Sequence, residues 1–91
     1  MITTRKEVLL QFVAQNPNDG TSHYMLGNEY FKAQKHAEAV RALRRYLELA
    51  EDVGAAYPLL AQSLDRFGDI DGARRAYRDG LAAATRKGTN R

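Results

Sequence analysis

A repeat of 34 residues is the feature that most constrains how this 91-residue chain can fold. When the sequence is shifted by 34, residues 20–53 align with residues 54–87 and eight positions are identical. That is roughly four times the number expected from unrelated sequence of this composition. The identical pairs are Gly20 with Gly54, Leu26 with Leu60, Ala39 with Ala73, Arg41 with Arg75, Ala42 with Ala76, Arg44 with Arg78, Leu47 with Leu81 and Ala50 with Ala84. Such a period indicates a repeat protein whose units pack on their neighbours.

Each repeat unit is predicted to form two helices. Apolar residues recur at intervals of three or four, as from Leu26 to Tyr30 and from Leu43 to Leu47, which places them on one side of a helix. Gly68 interrupts the second unit with a residue that adopts positive φ at little cost, which is typical of the end of a helix. In the first unit the corresponding break falls at residues 34–36.

The N-terminal segment is predicted to be half a unit. Leu9 falls where Leu43 falls one repeat later, so the segment corresponds to a second helix alone. Thr4 and Glu7 have the spacing of a capping box at its start, and Pro17 follows its end. The five helices are therefore predicted near residues 4–15, 20–33, 36–51, 55–67 and 70–85. The corresponding organisation is a half repeat over 1–19, repeats over 20–53 and 54–87, and a disordered tail over 88–91.

This arrangement resembles the tetratricopeptide repeat (TPR) family, whose helix pairs carry a large residue, Leu-Gly, a Tyr and small residues at the helix contacts. The matching residues are Leu26, Gly27, Tyr30, Ala39 and Leu43 in the first unit and Tyr57, Leu60, Ala61, Leu64, Ala73 and Tyr77 in the second. The departures are His23, Tyr46, Glu51 and Gly80. The resemblance implies an all-α, right-handed superhelix of five antiparallel helices, about two and a half repeats, with the first helix of each pair on the concave side.

The composition excludes several classes of protein. With 44% hydrophobic and 27% charged residues, the chain is typical of a globular helical domain rather than a disordered one. The absence of cysteine removes disulfides, thiolate nucleophiles and cysteine-based zinc sites. No segment has the apolar length of a membrane span, and the first residues lack the pattern of a signal peptide. We therefore expect a cytoplasmic protein without membrane contacts.

No group of residues predicts catalysis, a metal site or a cofactor. His23 occupies the position of a packed aromatic residue, His36 is expected to be solvated in a turn, and neither has a second ligand at metal-binding spacing. Residues 69–72 resemble the start of a calcium loop, but the third acid and the closing Glu are missing, so Asp69 is expected to cap a helix. We predict a non-enzymatic protein without catalytic residues, metal or cofactor.

The family resemblance implies a concave groove that could hold a peptide. We call the concave groove the surface formed by Tyr24, Asn28, Phe31, Lys32, Gln62, Asp65 and Arg66, flanked by Thr21, Ala55 and Pro58. Aromatic rings beside amide and charged groups supply both burial and hydrogen bonds to a bound peptide. Packing of Phe31 against the next first helix is an equally weighted alternative.

A second surface is basic. The arginine ladder consists of Arg41, Arg44, Arg45, Arg74, Arg75 and Arg78, which the repeat places in register on the two second helices. A solvated face is the favoured interpretation, with a site for RNA or an acidic protein as the alternative. The formal net charge of +3 favours anionic partners only mildly.

The open ends of the repeat array are a third candidate surface. Apolar area is expected to stay exposed around Phe12 at one end and around Leu64, Phe67 and Tyr77 at the other, because repeat units bury their faces only against neighbours. The chain is thus predicted to be a protein-interaction module that binds a peptide or helix of an unidentified partner in the concave groove. The alternatives are a weak homodimer through the end faces and a nucleic-acid adaptor on the arginine ladder.

Overall fold

The structure is a computed structural model that describes the backbone of residues 4–50 and 54–89, with side chains up to residue 86. This part of the chain contains helices and no strand. The helices are α1 (Arg5–Gln15), α2 (Gly20–Lys32), α3 (His36–Leu49), α4 (Ala56–Phe67) and α5 (Ile70–Thr89). The all-α fold and the five helices predicted from the repeat are therefore confirmed.

Helix α5 is longer than the sequence pattern indicated. It reaches Thr89, so residues 88 and 89, which were expected in a disordered tail, continue the helix. The apolar periodicity ends near Ala84, and periodicity reports only the residues that pack, so it missed this extension. Residues 51, 90 and 91 lie outside the described residues, as do the predictions made for them.

The helix ends follow local chemistry that the sequence already showed. Thr4 caps α1 in a capping box: its Oγ1 accepts from the Glu7 N–H at 3.2 Å, and the Thr4 N–H donates to the Glu7 carboxylate at 3.2 Å. Gly68 ends α4 with φ of 102°, a left-handed conformation that glycine adopts without a Cβ clash. Asp69 Oδ1 then accepts the N–H of Gly72 at 2.9 Å, which confirms Asp69 as the cap of α5.

The turn between α2 and α3 uses a different device. Gln34 adopts φ of 62° without being a glycine, and the N–H of Lys35 donates to the Tyr30 carbonyl at 2.9 Å. A non-glycine residue in this region is uncommon, because its Cβ is crowded. The hydrogen bond to Tyr30 satisfies one of the carbonyls left free at the end of α2 and holds the turn in place.

The core crosses the boundary between the repeats. One cluster joins three consecutive helices and contains Val40, Leu43, Leu60, Ala61, Leu64, Ala73 and Ala76. A second cluster joins α1, α2 and α3 through Leu9, Leu26 and Ala42. Each helix packs mainly on the next one along the chain, which is the arrangement of a helical solenoid.

Small residues set the distance between the helices of a pair. A Cβ on Gly27 would lie 2.7 Å from Cδ2 of Leu43, so the backbone of α2 approaches α3 more closely than any larger residue permits. In the second pair the equivalent position is Ala61, which is fully buried. These contacts explain why the family motif requires small residues here.

Candidate binding surfaces

The residues predicted to form the concave groove lie in matching stripes on the two first helices. On α2 the stripe runs through Tyr24, Asn28 and Phe31, which are all half-buried. On α4 the positions 34 residues later are Pro58, Gln62 and Asp65, which are all exposed. Spacings of three and four residues put each stripe on one side of its helix. The groove therefore has a partly apolar half on α2 and a polar half on α4.

One contact joins the two halves of the groove. The guanidinium carbon of Arg66 lies 5.3 Å from the ring centroid of Phe31, which is a cation–π geometry. The Phe31 ring also contacts His36, whose ring centre is 5.9 Å away in an edge-on arrangement. Phe31 thus does pack towards the next first helix, yet it stays half-exposed. Lys32 is exposed, and its Nζ is 4.0 Å from Glu29.

Tyr24 and Asn28 have more local contacts than the sequence suggested. The Tyr24 ring lies 5.0 Å from the ring of Tyr46, so it contributes to packing between α2 and α3 as well as to the groove. The Asn28 side-chain amide donates to the Tyr24 carbonyl at 3.2 Å, one turn earlier in the same helix. Its Oδ1 accepts no hydrogen bond from the described residues, so it can accept one from a ligand.

The arginine ladder is exposed except for one member. Arg45 is held by Glu48 at 3.2 Å and by Asn18 Oδ1 at 3.1 Å. Within residues 4–50 and 54–86, the other five form no ion pair: Arg41, Arg44, Arg74, Arg75 and Arg78.

A hollow of about 510 Å³ lies between α3 and α5 beside this ladder. It is lined by Arg44, Leu47, Glu48, Tyr57, Leu60, Asp79, Ala82 and Arg86. Sequence reasoning missed it because Tyr57 and Leu60 follow the pattern of core residues.

The end faces expose most of the predicted apolar residues. Phe12, Phe67 and Tyr77 are 44%, 61% and 52% exposed, which confirms those three expectations. The prediction for Leu64 is wrong, since it is 3% exposed and packs in the core between α3 and α5. Further exposed apolar residues that were not predicted are Val8, Leu10, Ile70 and Leu81. Leu81 could have been found from the repeat, because its counterpart Leu47 packs against the core cluster that includes the following helix, α4, and the described residues contain no helix after α5.

The two histidines have structural environments. His23 Nε2 lies 2.9 Å from the Pro17 carbonyl, so it ties α2 to the preceding loop. His36 was expected to be solvated, and this is wrong: its Nε2 is buried and has no hydrogen-bond partner among the described residues, and its ring lies 5.9 Å from the Phe31 ring in an edge-on arrangement. Among the residues whose side chains are described, no three His, Asp or Glu side chains could share a metal ion. No helix in this part of the chain has the length and apolar character to cross a membrane.

Comparisons with known proteins agree with the repeat architecture. Residues 20–53 match the tetratricopeptide repeat family. A TPR repeat-containing protein of Pseudomonas aeruginosa is 30% identical over 82 residues, which cover 90% of this chain and 78% of that protein. No solved structure gives a significant match. Tetratricopeptide repeats are generally protein–protein interaction modules, and proteins that contain them are generally non-enzymatic scaffolds. The chain belongs to the tetratricopeptide repeat family.

Proposed function

We propose that the chain is a non-enzymatic adaptor that binds a peptide or a helix of a partner protein in the concave groove. The observation that carries this proposal is the contact between Phe31 and Arg66, which joins α2 and α4 across the groove while both side chains keep exposed surface. A ligand lying there would cover an aromatic ring and meet a cation in one place. Aromatic and arginine side chains are the residues that most often dominate binding energy at interfaces.

The charges of the groove favour a ligand with an acidic group. Lys32 and Arg66 occupy equivalent positions of the two repeats, so the groove carries two cations along one edge. Asp65 is the only acid among the predicted groove residues. The Asn28 amide supplies hydrogen bonds that fix the register of a peptide backbone. A peptide with an apolar side chain for Phe31 and a carboxylate for the cations therefore fits best.

A capture experiment with matched variants tests this proposal. The chain is immobilised and exposed to native extract, with and without nuclease treatment, at about 50 mM and about 500 mM salt. Proteins retained by the wild type should be lost with Phe31→Ala and with Asn28→Asp, and kept with the control variants Arg44→Ala and Arg78→Ala. Retention should survive the higher salt, because burial of the Phe31 ring depends little on ionic strength whereas phosphate neutralisation depends on it steeply.

Two outcomes would contradict the groove proposal. The first is retention of nucleic acid alone, at low salt alone and without nuclease treatment, which would move the function to the arginine ladder. The second is an equal loss of bound protein with the Arg44→Ala and Phe31→Ala variants. Asn28 is half-buried, so Asn28→Asp could also lower the stability of the chain. Thermal denaturation of each variant therefore shows whether the bound protein is lost through a missing contact or through unfolding.

A further inference from the structure

The last helix of the array has an apolar face that no residue of the described chain covers. The α5 face consists of Ile70, Arg74, Tyr77 and Leu81, at intervals of three or four residues. Tyr77 and Leu81 are 52% and 71% exposed. One repeat earlier the same positions hold Leu43, which is fully buried, and Leu47, which packs against the core. Leu43 lies between Gly27 of α2 and the α4 residues of the main core cluster, and Leu47 packs against the same cluster. The covering helix that follows in the chain is α4, a first helix.

The cation in the α5 face has a counterpart at the start of the chain. Arg74 corresponds to Val40 in α3 and to Lys6 in α1. The Lys6 ammonium lies 5.9 Å from the ring centroid of Tyr30, which belongs to α2. At this position, therefore, a cation on a second helix meets an aromatic ring on the first helix that follows.

The remaining positions of the α5 face match α1 as well. In α1 the residues at the positions of Tyr77 and Leu81 are Leu9 and Val13, which pack against α2. At these repeat positions, a cation followed by apolar residues three and seven positions later is therefore found in both α1 and α5. In α1 these residues contact α2 of the same chain, whereas in α5 they are exposed.

A hollow enlarges the α5 face. In the first repeat the rings of Tyr24 and Tyr46 fill the space between the two helices, 5.0 Å apart. In the second repeat these positions hold Pro58 and Gly80, and a hollow of about 400 Å³ remains. It is lined by Gly54, Tyr57, Pro58, Tyr77, Gly80 and Leu81. The lining is almost entirely apolar, so a side chain from outside can gain burial there.

We propose that the α5 face binds an amphipathic helix of a partner protein, which places an aromatic ring against Arg74 and apolar side chains against Tyr77 and Leu81. This docking continues the internal stacking, in which α2 covers α1 and α4 covers α3.

A second copy of the chain does not supply a free first helix, because Leu26 and Leu60 show that α2 and α4 bury their apolar sides internally. Its α1 exposes Val8 and Phe12, but α1 is a second helix, and in the internal stacking a second helix is covered by a first helix. The site adjoins the predicted concave groove at Pro58, which lines the hollow, but its main contacts lie on α5, and it goes beyond the function proposed above.

A synthetic peptide with the sequence of residues 19–34 is a suitable probe, because it contains α2, the helix that covers the equivalent face of α1. Titration of the isotope-labelled full chain is followed by NMR up to about 1 mM peptide. The expected result is a set of chemical-shift changes centred on residues 70–82, with α1 and the concave groove unaffected. In the Leu81→Glu variant the affinity should fall at least about tenfold. The control variant Leu10→Glu, at an exposed apolar residue of α1, should stay within about twofold.

The aromatic contact is tested with a double-mutant cycle. Replacing the peptide residue that corresponds to Tyr30 by Ala should weaken binding to the wild-type chain about threefold, and it should cause no further loss in the Arg74→Ala chain. Absence of shifts on α5 at the highest peptide concentration would overturn the proposal, and so would shifts confined to α1 or the concave groove. Concentration-dependent shifts on α5 without peptide would overturn it too, in favour of a second copy as the occupant. A folded spectrum of each variant keeps these outcomes interpretable, since Leu81 and Arg74 are both exposed.

Discussion

At the scale of single residues, the contacts between helices depend on side chains that are small or missing. Gly27 lets α2 approach Leu43, and Ala39, Ala56 and Ala61 are fully buried at other helix contacts. Each of these positions holds a residue whose volume matches the space available, because a packed interior tolerates even one extra methyl group poorly. The spacing of small residues is therefore as informative about the fold as the spacing of large ones.

Replacement of Gly27 by Ala should destabilise the chain by about 1–3 kcal/mol. The new Cβ would lie 2.7 Å from Cδ2 and 2.8 Å from Cγ of Leu43, a fully buried side chain that would have to shift. Urea denaturation of the purified variant measures the change. Gly54→Ala is the matched control, since a Cβ there has no neighbour within 4 Å, and it should leave the free energy of unfolding unchanged or slightly higher. Equal stability of the two variants would show that Leu43 can shift.

Replacement of His36 by Ile should stabilise the chain by about 0.5–2 kcal/mol. The buried Nε2 of His36 has no hydrogen-bond partner, so folding removes it from water without compensation. One repeat later the same position is Ile70, which shows that α5 starts with a β-branched residue there without difficulty. Thermal and urea denaturation at neutral pH check the prediction. A loss of stability would show instead that the edge-on contact with Phe31 outweighs the unsatisfied nitrogen.

At the scale of helices, each end is fixed by groups within a few residues of it. The caps at Thr4, Gly68 and Asp69 need no tertiary contact, and all three were predicted from sequence. The starts of α2, α3 and α4 have no side-chain cap, and the turn before α3 contains Gln34 with positive φ. Local signals therefore predict helix ends well where a capping side chain is present.

The capping box of α1 should make its stability depend on pH. The Thr4 backbone N–H, and then the Thr4 hydroxyl, donate to the Glu7 carboxylate and hold its pKa below the usual range. A carboxylate with a lowered pKa in the folded state contributes stability that is present above its unfolded pKa of about 4.3 and is lost as the pH falls through the folded pKa. The wild type should therefore be more stable than Glu7→Gln at neutral pH, and the difference should vanish in acid. Urea denaturation of both proteins from about pH 3 to about pH 7 measures it. A difference that is constant over this range would contradict the assignment.

At the scale of the whole molecule, the array is long and flat, with extents of 49 × 32 × 15 Å. The main core cluster lies between α3, α4 and α5, whereas α1 packs mainly on α2 and has one buried residue, Leu9. In a repeat array stability is the sum of the units and their interfaces, so a terminal helix with one interface opens more easily than a central one.

Amide hydrogen exchange should therefore be at least about tenfold faster in α1 than in the centres of α3 and α4. Two variants test the reason for this difference. Leu9→Ala should accelerate exchange in α1 alone, while Leu60→Ala, which removes a residue of the main core cluster and costs about 2–5 kcal/mol, should accelerate it in every helix. Uniform exchange rates in the wild type would mean that the five helices open as one unit.

The sequence by itself determined the repeat, the five helices and the caps, because each of these depends on residues at most 34 apart that recur in a fixed pattern. It also identified Phe12, Phe67 and Tyr77 as exposed, since a repeat without a neighbour cannot bury its outer face. The predicted groove residues remain a proposal. The sequence placed Tyr24 and Phe31 in the groove, and their half-buried packing against Tyr46 and His36 could not be read from their spacing.

Only the tertiary structure decided what surrounds each side chain across the helix boundaries. Leu64 resembles an exposed end residue by its position in the last repeat, but α4 also faces backwards onto α3, and that contact buries it. Further examples are the buried Nε2 of His36, the cation over the Phe31 ring and the hollow that Gly80 lines. Helical periodicity fixes the direction of a side chain on its own helix. The distance to the neighbouring helix depends on the combined volumes of residues far apart in the chain, and only packing in three dimensions sets it.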